Sequence, residues 1–158
     1  MRSFYQACLL YTNFAKIFEA MVYLTRVEHF NAAHKLFNPD WSRQKNEDVF
    51  GKCANENWHG HNYELIVTVK GKPEPDTGFV IDLKKLSILI RENIISQVDH
   101  KNLNLDVPFM QDKLASTENL IMAFWDILEP LIPGISSARL HSLKLYETPR
   151  NFVVYFGE

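Results

Sequence analysis

The 158 residues carry a net charge of −2, with 46% hydrophobic and 23% charged side chains, proportions that fit one globular domain with a sizeable core. A pI near 6.3 excludes a globally basic surface of the kind that grips nucleic acid or anionic membrane, and no apolar run is long enough for a membrane span. The two cysteines, Cys8 and Cys53, make no disulfide framework. With one of them in a histidine-rich motif, a reducing cytoplasm fits better than secretion.

In residues 1–20 the apolar stretch is broken by Gln6, Thr12, Asn13 and Lys16 and ends on no clear cleavage site, which argues against a signal peptide. Met21 stands directly before a good strand pattern. The expected folded unit is therefore 21–158, with 1–20 an over-extended start or dispensable appendage; a short docking helix is the alternative. Residues 22–30 read as a strand leading into Asn31-Ala32-Ala33-His34. Residues 38–57 read as a long polar loop, a length that usually signals function or disorder. From His61 to Val69, apolar and polar residues alternate as in a half-buried antiparallel strand, and 71–78 is turn chemistry.

Residues 79–81 read as a short extended piece. Asp82 is placed to cap a helix over 83 to about 97, with Leu83, Leu86, Ile90 and Ile94 on its apolar face. A polar loop with Asp99-His100 follows, broken at Pro108. Ser116 or Thr117 caps a second helix, with Glu118 in its first turn and Leu120, Phe124, Ile127 and Leu128 inward. Strands over 140–147 and 152–156 close the chain around a turn at 148–151. The order strand, strand, helix, helix, strand, strand predicts an α+β domain, helices on one face of an antiparallel sheet.

The chemistry concentrates in 50–63, FGKCANENWHGHNY. His59 and His61 share one face of a strand, because side chains i and i+2 point the same way, and Gly60 lets the backbone approach what they hold. If the first two strands pair as a hairpin, His34 joins them. Three neutral imidazoles leave one open position on zinc, the catalytic rather than the structural arrangement. Cys53 is a fourth ligand, a buried inert thiol or a reactive thiolate; Lys52 and a nearby dication favour the last by lowering its pKa. Asp99-His100 reads as a relay pair or a solvated turn, and Glu147 as a substrate anchor or a solvated strand end. His29 and His141 have no motif around them and read as structural.

These blocks, FNAAH (30–34), FGKCANENWHGHNYELIVTVKG (50–71), VDHKNLNLDVPF (98–109), STENL (116–120) and LYET (145–148), resemble the 6-pyruvoyl-tetrahydropterin synthase family, which includes the bacterial 6-carboxytetrahydropterin synthases. The resemblance implies the tunnelling fold, a ββααββ subunit with a four-stranded antiparallel sheet and two helices on one face. It also implies trimers stacked into hexamers, with active sites between subunits. Carried over residue by residue, it makes His34, His59 and His61 the zinc ligands and Cys53 the catalytic thiol, with Asp99 and His100 working alongside. Glu147 becomes the pterin anchor, with Thr117 near the pterin. The implied substrate is 7,8-dihydroneopterin triphosphate, with two products equally open, 6-pyruvoyl-tetrahydropterin or, with loss of acetaldehyde, 6-carboxytetrahydropterin on the route to queuosine. A reading of another class is a non-catalytic zinc-stabilised module that binds a purine- or pterin-like ligand and gives Cys53 no role.

Overall fold

The computed structural model describes residues 20–158. The expectation for residues 1–20, Cys8 included, falls outside the described residues except for Ala20. The first strand, β1 (Val22–His34), turns Glu28, Phe30, Ala32 and His34 inward and His29 and Asn31 outward, as a two-residue period requires. It pairs antiparallel with β2 (His59–Gly71) in unbroken register from Val22 opposite Gly71 to His34 opposite His59.

The connection between them departs from the expected loop. It holds a helix, α1 (Arg43–Phe50), and a 3-10 turn at Gly51–Ala54. Its sequence, RQKNEDVF, has no apolar stripe to announce a helix. The helix is held instead by polar devices. Ser42 caps it by accepting from the Lys45 amide at 3.2 Å, and Arg43 reaches Glu47 at 2.8 Å. The buried Asn46 amide donates to the carbonyls of Asn38 and Ser42 at 3.0 and 3.1 Å, while its oxygen accepts from the Asn38 amide at 2.7 Å.

The helix α2 (Leu83–Ile90) begins where expected, Asp82 accepting from the amides of Lys84 and Lys85 at 2.8 and 3.3 Å. It runs on through a π-helical turn at Arg91–Ile95 and a last turn at Ser96–Val98. Leu86, Ile90 and Ile94 are buried, but Leu83, expected on the same face, is 47% exposed in the first turn. No strand forms at 79–81, although Val80 and Ile81 are buried in the core. A two-residue strand, β3 (Lys101–Asn102), lies parallel to β1. Then come α3 (Thr117–Leu128), capped by Ser116, β4 (Arg139–Tyr146) and β5 (Phe152–Tyr155).

Among the described residues the sheet thus has five strands in the order β3-β1-β2-β4-β5, rather than four. The additional strand is too short and polar to show periodicity. Backbone bonds fix it, His100 N–H to the Asn31 carbonyl at 2.6 Å and Leu103 N–H to Ala33 at 2.8 Å. The helices cover one face, where Phe30, Tyr63, Leu65, Leu143 and Leu145 meet Leu86, Ile90, Leu120, Phe124 and Leu128 in one core. Removing a ring such as Phe124 from that core costs roughly 3–5 kcal/mol. A charged group also lies inside it. Glu28, 4% exposed, accepts from Arg26, Ser87 and Arg91 at 2.8, 2.8 and 2.9 Å and so ties β1 to α2. Among the described residues no helix is long and apolar enough to cross a membrane.

Candidate metal centre and its cleft

The β1–β2 register brings the three sequence-selected histidines together. His34 and His59 are cross-strand partners, and His61 follows two residues along the same face. One ring nitrogen from each lies within 4.8 Å of the others. Nδ1 of the buried His34 is 2.7 Å from the Ala115 carbonyl. A carbonyl only accepts, so Nδ1 carries the proton and Nε2 keeps its lone pair. Nε2 of His34, Nδ1 of His59 and Nε2 of His61 are all buried without a hydrogen-bond partner. Burial pushes the pKa of each of the three imidazoles down, overcoming the opposing pull of Glu147. Neutral imidazoles with converging, unsatisfied lone pairs are what a metal ion requires, and the donor set fits a three-nitrogen site with an open position. Gly60 between His59 and His61 is exposed, and a Cβ there would stand 3.4 Å from the Ala32 carbonyl oxygen.

Beside the triad a cleft of about 570 Å³ is lined by Cys53, Thr117, Glu147 and Arg150 among others. Glu147, at the end of β4, aims Oε1 at the histidines, 3.5 Å from His34 Nε2 and 3.8 Å from His61 Nε2. The Thr117 hydroxyl, at the start of α3, donates to that same oxygen at 3.0 Å. Cys53 sits half-exposed in the 3-10 turn, its carbonyl accepting from the Leu36 amide at 2.8 Å. Two participants were not singled out from sequence. The Ala115 carbonyl is a backbone group with no residue signature. Tyr63 continues the two-residue period from His59 and His61, a signal that was available. Its buried hydroxyl has no partner, its ring lies 5.7 Å from that of His61, and burial, reinforced by Glu147 and Cys53, pushes its pKa far up, so it stays a neutral phenol.

Asp99 and His100 form their own pair on the edge of β1 away from β2. Asp99 Oδ1 accepts from the Asn31 amide at 2.9 Å, and Oδ2 lies 3.0 Å from His100 Nδ1. The Asn31 amide chiefly holds the Asp99 carboxyl below its ordinary value, against the opposing effect of burial and with His100 adding to the lowering. His100 takes a left-handed backbone, φ 58°, and its side chain is 77% exposed. Neither residue lines the Cys53 cleft of the same chain. His29 is exposed, 3.9 Å from Glu64, and His141 packs edge-on against Tyr23, away from the triad.

The model of the 6-pyruvoyl tetrahydropterin synthase family matches residues 23–158. The chain is 45% identical over 130 residues to the 6-pyruvoyl tetrahydrobiopterin synthase of Pongo abelii, covering 82% of this chain and 87% of that one. It is 29% identical over 136 residues to the 6-carboxy-5,6,7,8-tetrahydropterin synthase of Bacillus subtilis (strain 168), covering 84% and 83%. The solved structure of Caenorhabditis elegans 6-pyruvoyl tetrahydropterin synthase superposes with a TM-score of 0.80 at 35% identity, over 88% of this chain and 97% of that one. The fold is therefore the α+β tunnelling fold, and the chain belongs to the 6-pyruvoyl tetrahydropterin synthase family of enzymes.

Proposed function

We propose that the protein converts 7,8-dihydroneopterin triphosphate to 6-pyruvoyl-tetrahydropterin, releasing triphosphate, with zinc held by His34, His59 and His61. The observation that carries this reading is the convergence of three unpartnered imidazole nitrogens beside a cleft that also presents Glu147 and Cys53. The pyruvoyl product, rather than the carboxy one, is favoured by the gradient of likeness. The Pongo abelii pyruvoyl enzyme is 45% identical and the Bacillus subtilis carboxy enzyme 29%.

When bound, zinc supplies Lewis-acid polarisation of the substrate's side-chain hydroxyls. Glu147 accepts the paired N–H groups of the pterin's guanidine-like edge, and the Thr117 hydroxyl fixes the carboxylate's orientation. Cys53 Sγ, as thiolate, takes a carbon-bound proton from the substrate side chain. The side chain is oxidised while the ring C=N bond is reduced, so the reaction is an internal redox isomerisation followed by elimination of triphosphate, with no external oxidant or reductant. Asp99 orients His100, which passes protons to and from Cys53. Because that pair lies outside the cleft of its own chain, it serves the cleft of a neighbouring subunit in a homotrimer or hexamer.

Mass spectrometry of the products from 7,8-dihydroneopterin triphosphate tests the reading. A pyruvoyl-tetrahydropterin mass with free triphosphate supports it, a carboxytetrahydropterin mass with acetaldehyde moves the protein to the other branch, and no turnover rejects both.

A further inference from the structure

A second cleft, of about 700 Å³, lies against the first and is lined in part by Lys35, Phe37, Arg43, Glu47, Lys52 and Glu56. One backbone layer separates the two. Leu36 and Cys53, joined by the 2.8 Å amide–carbonyl bond, line the first cleft, while their neighbours Lys35, Phe37 and Lys52 line the second. The residue following a metal-site histidine and the residue preceding the thiol thus both line this space.

The charges in the second cleft do not balance. Arg43 is engaged by Glu47 at 2.8 Å and feels the field of Glu56, and the three cations Lys35, Arg43 and Lys52 of the lining outnumber its two carboxylates, Glu47 and Glu56. Among the described residues no carboxylate lies within ion-pair distance of Lys35 or Lys52. Lys35 is also pre-positioned. Its backbone is clamped on both sides by Asn104, amide to Oδ1 at 2.9 Å and carbonyl to Nδ2 at 3.1 Å. Its Nζ rests 4.5 Å from the centre of the Trp58 ring and 5.3 Å from that of Phe37. Aromatic faces orient an ammonium group without neutralising it. Trp58 holds its place with a left-handed backbone, φ 57°, immediately before His59, a conformation uncommon for a bulky side chain.

We propose that Lys35 and Lys52 bind the triphosphate arm of the substrate, and hold triphosphate after elimination. The proposal rests on the function given above and adds a polyanion subsite to it. The carbon bearing the phosphate ester lies beside the carbons that react next to Cys53, so the arm leaves the first cleft over the rim formed by the wall. There it meets Lys35 and Lys52, two cations with no carboxylate at ion-pair distance among the described residues.

The test is calorimetric titration of the zinc-loaded oligomer with the magnesium complex of inorganic tripolyphosphate, retained zinc being assayed afterwards. Lys35→Gln/Lys52→Gln is expected to weaken binding at least 10-fold, and Lys52→Gln alone, at an exposed position, about 3-fold. Arg139→Gln, at the exposed start of β4 and outside both clefts, leaves it unchanged. In steady-state assays the double variant raises KM for the triphosphate substrate about 10-fold with kcat within 3-fold. Its binding of 7,8-dihydroneopterin, which lacks phosphate, is unaffected. Unchanged tripolyphosphate binding in the double variant, or loss in Arg139→Gln instead, overturns the subsite. Lysine-dependent tripolyphosphate binding in a wild-type protein that does not turn over the substrate supports the subsite while overturning the catalytic reading. Normal turnover with lysine-independent KM overturns the subsite alone.

Discussion

His34 and His59 form the last cross-strand pair of the β1–β2 ladder, their ring centroids 4.6 Å apart. The ladder itself therefore sets the spacing of two donors, and His61 takes its place from the period of the same strand.

That register carries a quantitative metal prediction. Purified protein is expected to hold one zinc per chain by elemental analysis. Removing a donor, as in His59→Ala, is expected to weaken zinc binding by more than about 100-fold, beyond what loss of an outer-shell partner does. Exhaustive chelation is expected to abolish turnover and added zinc to restore it. Full activity without metal rejects the assignment.

Cys53 and His100 yield a complementation experiment. Each of Cys53→Ala and His100→Gln is expected to lower kcat by roughly 10²–10⁴-fold, the range of general acid–base catalysis. When the two inactive variants are refolded together, some clefts pair an intact Cys53 with an intact neighbouring Asp99-His100. Activity is then expected to return to at least about 10-fold above either parent. No recovery in verified mixed oligomers would show that each chain completes its own site.

With Glu147 as the proposed pterin anchor, Glu147→Gln is expected to weaken binding of a product-like pterin by about 10- to 100-fold, the scale of lost hydrogen bonds to a charged group. Thr117→Val removes only the 3.0 Å bond that orients the carboxylate and is expected to cost about 5-fold. Equal losses in both variants, measured by fluorescence titration, would refute this division of roles.

Glu28 predicts part of the acid sensitivity of the fold. Burial alone would raise its pKa, but hydrogen bonds from Ser87, Arg26 and Arg91 outweigh it and lower the value below 4.5. Between the two values the unfolded chain binds more protons than the folded one, so stability rises with pH. This contribution is fully present above about pH 4.5 and is lost as pH falls through the lowered folded value. Arg91 is 62% exposed and can return to water, so Glu28→Gln is expected to cost about 2 kcal/mol at pH 7 rather than the larger penalty of a fully buried pair. The gap between variant and wild type should close towards pH 3 in urea melts. A constant gap would remove Glu28 from the acid response.

What the sequence made legible were the features carried by periodicity and by caps. The alternation of His61 to Val69, the Asp82 and Ser116 caps, and the spacing of Leu86, Ile90 and Ile94 all reappear as built elements. The histidine triad was readable because the two-residue period and the hairpin order bring those positions to one end of one face. Polar helices and backbone partners were not legible. α1 is held by Asn46 and side-chain pairs rather than by an apolar stripe, and β3 by backbone bonds from residues flanking two polar positions. The Ala115 carbonyl that sets the His34 tautomer is a group every residue possesses.

The chain between β1 and β2 carries Cys53 and both lysines of the second cleft, yet it contributes no donor to the histidine triad. Its length is therefore expected to change without shifting the register that seats those rings. Insertions placed in its exposed stretches, such as around Pro39-Asp40, should leave zinc affinity intact while altering turnover. Tolerance of the metal site and tolerance of catalysis are thus separable properties of this hairpin, and grafted loops can be screened for one independently of the other.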